Sequence, residues 1–562
     1  MNAVANLRTG GQILVDQLRI HGADTVFCVP GESYLATLDA LYDARDEIKL
    51  VICRQEGGAA NMADAYGKLT GRPGIVFATR GPGAANASLG IHTAHQDSTP
   101  VILLLGQVGR AMMEREAFQE VDFREMYAPL SKWVAQIDDP ARVPEMVSRA
   151  FHVATSGRPG PVVLALPEEM QKEQAAANDA VRYTEIQAAP PPADIDRLAS
   201  MLEEAERPFV ILGGSGWTES ACKDFRKFVE AFDLPVGAAF RRQDLFDNTL
   251  PNYAGDIGLG VNPALGRRLQ ETDLLIVVGA QMTEIITDGY QRFPIPCLNQ
   301  KFVHIAAGQD ELARVYEPTL AIHSGMVNFA SAVGTLKPAK TPGWSDWTRS
   351  ANADHLENVE LPAMKGGVDM GAIVKWLAET LPEDAIIANG AGNYTNWVHR
   401  FYPYRRFATQ LAPQSGAMGY GVPAAVAAKI VCPDRAVVSF NGDGCFLMCG
   451  QEIATARQYD LPIIFIVVNN GTYGTIRMHQ ERFYPGRVIG TDLINPDFAA
   501  LARSYGLHGD TVENTEDFAA AFEKAQAGGG PALIELKIEQ DQISPRATLS
   551  ALRDAAAKQG GN

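Results

Sequence analysis

Ala436-Val-Val-Ser-Phe440, followed at once by Asn441-Gly442-Asp443-Gly444, decides the reading of this chain. A helical run from about Gly450 to Tyr459 leads on to Leu461-Pro-Ile-Ile-Phe-Ile-Val-Val468 and then Asn469-Asn470. Two short apolar runs around a helical one make a strand–helix–strand unit. A right-handed crossover sets the two strands parallel, so Asp443 and Asn470 emerge together at the carboxyl edge of the sheet, where open α/β sheets bind ligands. A carboxylate, an amide oxygen and a nearby peptide carbonyl are hard oxygen donors. With two phosphate oxygens and a water they complete an octahedron around Mg²⁺. Gly442 and Gly444 let the backbone approach a diphosphate closely. Gly-Asp-Gly alone is only a turn; the 24 residues that separate it from Asn-Asn, and the strands on either side, give it meaning.

The same alternation extends in both directions. Strands are expected at Lys49–Cys53, Ile75–Ala78, Val101–Leu105 and Val162–Ala165, then at Phe209–Gly213, Leu274–Gly279 and Phe302–Ile305. A third series comprises Ala385–Ala388, Ala436–Phe440, Leu461–Val468 and Ala532–Lys537. Pro190 to Pro192 mark one linker, and LKPAKTPGWSDWTRSANADHLENVELPAMKGG reads as a second irregular stretch. The expected fold is α/β, with three doubly wound parallel-sheet domains spanning 1–175, 190–340 and 365–545.

Composition narrows the function. The 562 residues carry 49 Lys and Arg against 66 Asp and Glu, a net charge of −17, which gives no electrostatic footprint for nucleic acid or anionic lipid. No apolar run is long enough to span a bilayer. The seven cysteines contain no CxxC pair, suggesting neither a disulfide framework nor a zinc site. A soluble protein of a reducing compartment, the cytoplasm, is expected.

Gly442-Asp443-Gly444 with Asn469-Asn470 resembles the diphosphate–metal motif of thiamine diphosphate enzymes, and the likeness is closest to the acetohydroxyacid (acetolactate) synthase group. It implies a pyrimidine-binding first domain, a central Rossmann-like domain and a diphosphate-binding third domain. Asp443, Asn470 and the carbonyl of Thr472 would hold Mg²⁺, with Cys445, Tyr473, Gly474, Thr475 and Ile476 along the cofactor. Glu56, which ends Arg54-Gln55-Glu56 after a strand, would contact the aminopyrimidine and exchange a proton with it. Read by itself, Glu56 is equally an acid at a helix start. Pro30 and Gly31 would border the pyrimidine site. The loop Thr79-Arg80-Gly81-Pro82-Gly83-Ala84-Ala85-Asn86 would lie beside the ring, contributing Thr79, Gly83 and Asn86. Gly416 and Met418 would sit beneath the thiazolium, with Met418 as an apolar wedge. Gly392 and Asn393 stand where the synthases carry Gly-Gln-His near the diphosphate.

For the substrate, Phe118 and Gln119 match a Phe-Gln-Glu segment that lines the synthases' site, and Tyr473–His479 would form a lid. His479 stands where the biosynthetic synthases carry Trp, so a preference for 2-oxobutanoate as acceptor is not expected. Glu32 stands where they carry Gly. It either donates a proton after decarboxylation, as an acid does at that point in pyruvate decarboxylases, or simply begins the following helix. The central domain lacks the Arg-Phe-Asp-Asp-Arg pattern of the FAD-carrying synthases at Gly279–Glu284, so FAD is not expected. Gly213-Gly214-Ser215-Gly216 remains a weak signal. The resemblance implies carboligation of a pyruvate-like 2-oxo acid to a second carbonyl compound. The alternative is a decarboxylase that releases an aldehyde. Glu56 and Asp443 are expected to meet across a homodimer or a dimer of dimers with shared sites.

Overall fold

The computed structural model describes residues 7–362 and 367–559. Three six-stranded sheets dominate, and every neighbouring pair within them is parallel. The first contains β1 (Thr25–Cys28), β2 (Lys49–Ile52), β3 (Gly74–Ala78), β4 (Val101–Gln107), β5 (Trp133–Gln136) and β6 (Pro161–Pro167), in the order β2-β1-β3-β4-β6-β5. The second contains β7 (Pro208–Leu212), β8 (Val236–Ala239), β9 (Tyr253–Ile257), β10 (Leu274–Val278), β11 (Lys301–Ala306) and β12 (Leu320–His323), in the order β9-β8-β7-β10-β11-β12. The third contains β13 (Ile386–Asn389), β14 (Gln410–Leu411), β15 (Val437–Gly442), β16 (Ile464–Asn469), β17 (His508–Val512) and β18 (Ala532–Lys537), in the order β14-β13-β15-β16-β18-β17. The first and third sheets thus share one topology. Each opens a crevice where the order reverses, between β1 and β3 and between β13 and β15.

The apolar runs are continuous because both faces of each sheet are covered. In β10, Leu274, Ile276 and Val278 enter one core while Leu275 and Val277 enter another on the opposite face. Contacts group the chain into two compact units. One runs to Ile186 and includes Val426–Val431; the other takes in the second and third sheets.

Three local expectations need correction. The strand expected from Leu461 begins at Ile464, because Pro462 has no N–H for the ladder. The helical run expected from Gly450 to Tyr459 is divided into a single turn, Gly450–Glu452, and a helix, Ile453–Gln458, and a separate helix, Asp443–Cys449, precedes it, so the acidic residue is itself the first residue of a helix. The second irregular stretch contains a helix, Ser345–Asn358. Indole anchors dock the start of that helix: Trp344 Nε1 donates to the carbonyls of Phe232 and Asp233, both at 3.0 Å, and Trp347 Nε1 donates to Pro208 O at 3.0 Å. The proline-marked linker ends at Pro192, the first residue of helix Pro192–Glu204, where a missing N–H breaks no helical bond.

Packing explains the glycine cluster after β7. Gly214 has φ +73°, and a Cβ there would lie 2.0 Å from Gly279 O; a Cβ on Gly279 would lie 2.5 Å from Gly213 O. The ends of β7 and β10 therefore meet backbone to backbone, and Trp217 Nε1 caps the turn by donating to Gly213 O at 2.8 Å. Gly214→Ala combines a left-handed backbone with a direct clash, and a loss of roughly 2–4 kcal/mol is expected. Guanidinium unfolding followed by tryptophan fluorescence measures it. An unchanged midpoint would show that the close approach is not required.

Candidate active site

In the first unit the loops after β2, β1 and β3 lie side by side, because β1 is flanked by the other two strands. Gln55 caps the helix Glu56–Thr70, its side chain accepting from Gly58 N at 2.9 Å. That fixes Glu56 as the first helical residue, only 8% exposed. Asn86 Nδ2 donates to Glu56 Oε2 at 2.9 Å. Oε1 faces Gly83, where a Cβ would approach it to 3.0 Å. Two of the three sequence-predicted residues of the glycine loop therefore have distinct jobs: Asn86 orients the carboxyl and Gly83 leaves room beside it.

The neighbouring loops are held as tightly. A Cβ on Gly31 would lie 2.6 Å from Thr79 Cβ, and Ser33 Oγ lies 3.0 Å from Thr79 Oγ1, so the Pro30-Gly31 turn packs directly on the Thr79 loop. Gln119 adopts a left-handed backbone, φ 65°, and its carbonyl accepts from Gly81 N at 3.0 Å. This brings the Phe118–Gln119 segment to the same edge as Glu56, with the Phe118 ring exposed. Glu32 opens the single turn Glu32–Tyr34; its side chain points largely into solvent and pairs with Arg80 at 3.5 Å.

In the second unit, β15 lies between β13 and β16, so three more loops converge. Asp443 is buried. Its Oδ1 accepts from Gly444 N at 2.8 Å; its Oδ2 accepts from Gly471 N at 2.9 Å and Asn495 Nδ2 at 2.8 Å. Burial pushes this carboxyl above the usual carboxylate range, and those donors offset part of the effect. Among the described residues no cationic side chain pairs with it. Beside it the Asn470–Thr472 turn is closed by Asn470 Oδ1 accepting from Thr472 N at 3.3 Å. A buried carboxylate without a counter-charge, next to amide and peptide oxygens, fits a hard divalent cation.

The surrounding glycines are tightly enclosed. A Cβ on Gly442 would meet the Tyr394 ring at 2.9 Å, and one on Gly444 the Tyr473 ring at 2.5 Å. Cys445 Sγ receives Gly419 N at 3.2 Å and Tyr394 OH at 3.4 Å, tying the segment after Met418 to the Asp443 turn. Met418 is half-buried against the third sheet's core, and Gly416 supplies a positive φ of 70° in the turn before it. Gly392, φ 147°, precedes Asn393, whose Oδ1 accepts from Thr475 Oγ1 at 2.9 Å. That bond joins the loop after β13 to the start of helix Gly474–Phe483, which bears the exposed Ile476.

Further along this helix His479 stacks on Phe483 at 6.1 Å, and burial with the Arg482 charge lowers its pKa. The buried Glu481 accepts from both Arg553 and Arg477, which hold it well below the usual carboxylate range, at about 2. It thereby ties the C-terminal helix Leu549–Gln559 to the helix Gly474–Phe483.

Sequence reasoning missed Asn495 and Glu481. Asn495 Nδ2 also donates to Asn469 Oδ1 at 2.9 Å, so one amide braces both the aspartate and the Asn-Asn turn. Nothing in Asn495-Pro496-Asp497 beyond a turn signal hinted at it.

Comparison with known proteins matches the three-sheet fold. The N-terminal, central and C-terminal domain models of thiamine pyrophosphate enzymes match residues 8–126, 195–333 and 390–536. The acetolactate synthase large subunit of Parasynechococcus marenigrum is 31% identical, covering 95% of this chain and 88% of its own. The isozyme 2 large subunit of Escherichia coli is 29% identical, covering 94% and 96%. The large subunit of Corynebacterium glutamicum is 30% identical, covering 97% and 89%. The chain belongs to the thiamine pyrophosphate enzyme family. Within it, the chain is an acetolactate synthase-like enzyme. No described helix is long and apolar enough to cross a membrane.

Asn495→Ala removes a charge-assisted bond to Asp443, so if this carboxylate holds a divalent cation, affinity for Mg²⁺ is expected to fall about 10- to 100-fold, the range for lost support of a metal ligand. Metal titration in the presence of cofactor, followed by fluorescence, reads it. Equal affinity would mean that Asn495 only braces the loop.

Proposed function

We propose that this enzyme decarboxylates a pyruvate-like 2-oxo acid and joins the acyl unit to a second carbonyl compound. The observation that carries the reading is the buried Asp443 carboxylate, without a cationic partner and flanked by the Asn470–Thr472 oxygens. Mg²⁺ would be held by Asp443, Asn470 and Thr472. The cofactor's phosphates would lie along Gly442–Cys445, Gly392–Asn393 and Tyr473–Ile476. Bound thiamine diphosphate supplies the electron sink for breaking a carbon–carbon bond beside a carbonyl. Glu56 would exchange a proton with the pyrimidine through Oε1, since Asn86 engages Oε2. Pro30, Gly31, Thr79, Gly83, Gly416 and Met418 would shape the ring pocket. Phe118, Gln119 and His479 would meet substrate.

The reading places pyrimidine binding in residues 1–175, a central Rossmann-like domain in 190–340 and diphosphate binding in 365–545. It also places the enzyme in the cytoplasm, as a homodimer or dimer of dimers whose sites are completed by Glu56 of one subunit and Asp443 of the other. A second reading, aldehyde release, is favoured by one observation: Glu32 is an exposed carboxylate at the Glu56 edge, held among the described residues by Arg80 alone.

Glu56→Gln should bind cofactor normally and lose roughly 10²–10⁴ in turnover. Wild-type turnover would remove Glu56 from the chemistry. Products from pyruvate, resolved by mass spectrometry, separate the two readings: a 2-hydroxy-3-oxo acid supports carboligation and acetaldehyde supports release. If release dominates, Glu32→Gly should shift the ratio toward carboligation. Mixed dimers of Glu56→Gln and Asp443→Ala subunits, each tagged differently, should recover about half the wild-type activity, because one of two symmetric sites is then intact. Inactive mixed dimers, with active wild-type/double-mutant dimers, would place each site within one chain.

A further inference from the structure

A cavity of about 120 Å³ lies within the second unit, walled by the β9 edge, the helices Ser345–Asn358 and Thr395–Phe401, and the turn at Ser544–Arg546. Its lining mixes polar and apolar groups and carries two guanidinium groups, Arg400 and Arg546. Neither has an ion-pair partner among the described residues. Arg546 donates to the carbonyls of Gly260 and Val261, at 3.3 and 3.1 Å, and to Asn358 Oδ1. Arg400 donates through Nε to Asn358 O, while its buried Nη1 has no acceptor. Burial and the like charge of Arg546 lower Arg400 to about 10.

Among the described residues the rest of the lining supplies little compensating negative charge. Asp256 is the one carboxyl that lines the cavity among the described residues, and burial pushes it up to about 7. Its Oδ1 has no hydrogen-bond partner, and the cation it feels is Arg241. Burial holds His355 and His399 down to about 4 and about 3, so both are neutral. Two like charges crowded without a counter-ion, beside a carboxyl that can be protonated and donate, match an oxyanion. A cavity of about 150 Å³ takes benzene, so a space of this size suits a group of about five or six non-hydrogen atoms.

We propose that this cavity binds a small oxyanion, a carboxylate or a phosphate, between Arg400 and Arg546. The bound anion would neutralise the two guanidinium groups and fasten three segments together: the loop after β9, the helix Thr395–Phe401 and the Ser544–Arg546 turn. This site is separate from the residues assigned above to the cofactor and substrate.

The test is calorimetric titration of the holoenzyme, saturated with thiamine diphosphate and Mg²⁺, in buffer free of phosphate, sulfate and carboxylates. One arm uses inorganic phosphate and the other lactate, which has no 2-oxo group to be decarboxylated. Saturable binding of one anion per chain is expected, at least 10-fold weaker in Arg400→Met. The arm that binds more tightly identifies the source as phosphate or carboxylate. Circular dichroism and a thermal melt confirm that the variant folds. Should it not, Arg546→Gln at the cavity mouth gives the same reading. No saturable binding to the wild type, or unchanged affinity in the folded variants, overturns the proposal.

Discussion

The second unit is organised around one electrostatic demand. Asp443 is a buried carboxylate at the end of β15, and no described side chain offers it a positive charge. Left alone, such a group would be costly to keep ionised. The fold answers with neutral donors: the N–H of Gly444 from its own helix, the N–H of Gly471 from the end of β16 and the amide of Asn495 from a loop returning over both. These fix where the oxygens point and reduce the penalty without removing it. The part left uncompensated is what a divalent cation would take up under the proposed reading.

The first unit sets the same kind of crevice to a different use. Its sheet has the topology of the third, so both open a gap at the same position in the strand order. In one gap the chain places Asp443 and oxygen donors. In the other it places Glu56, with one oxygen engaged by Asn86 and the other beside Gly83. The difference lies wholly in the loops, as expected where a rigid scaffold carries variable function. The central sheet follows a third course: its gap between β7 and β10 is closed by the mutual approach of Gly214 and Gly279. A glycine cluster after a strand can therefore mean close backbone packing as readily as a phosphate cradle.

The C-terminal region shows how remote segments stabilise a site. Glu481 lies on the helix Gly474–Phe483, fully buried, and its two arginine partners come from one turn earlier and from the terminal helix. Because its carboxyl titrates near 2 when folded, the tie contributes fully above the ordinary glutamate range and is lost only as the pH falls toward 2. At neutral pH the ion pair that joins the terminal helix to the helix Gly474–Phe483 is therefore intact.

What the sequence determined by itself was whatever depends on short-range pattern. Buried parallel strands read as unbroken apolar runs, so the strands carrying Asp443 and Glu56 were legible, and the Gly-Asp-Gly to Asn-Asn spacing placed two oxygen donors on one edge. Boundaries slipped where a local rule was overlooked, as at Pro462. Tertiary structure alone decided the rest. The helix Ser345–Asn358 is docked by indoles onto distant carbonyls, and Asn495 reaches Asp443 from 52 residues away. Arg400 and Arg546 share a cavity although 146 positions separate them. Such partners are chosen by how the sheets and loops pack, and packing brings together residues whose local sequence carries no trace of one another.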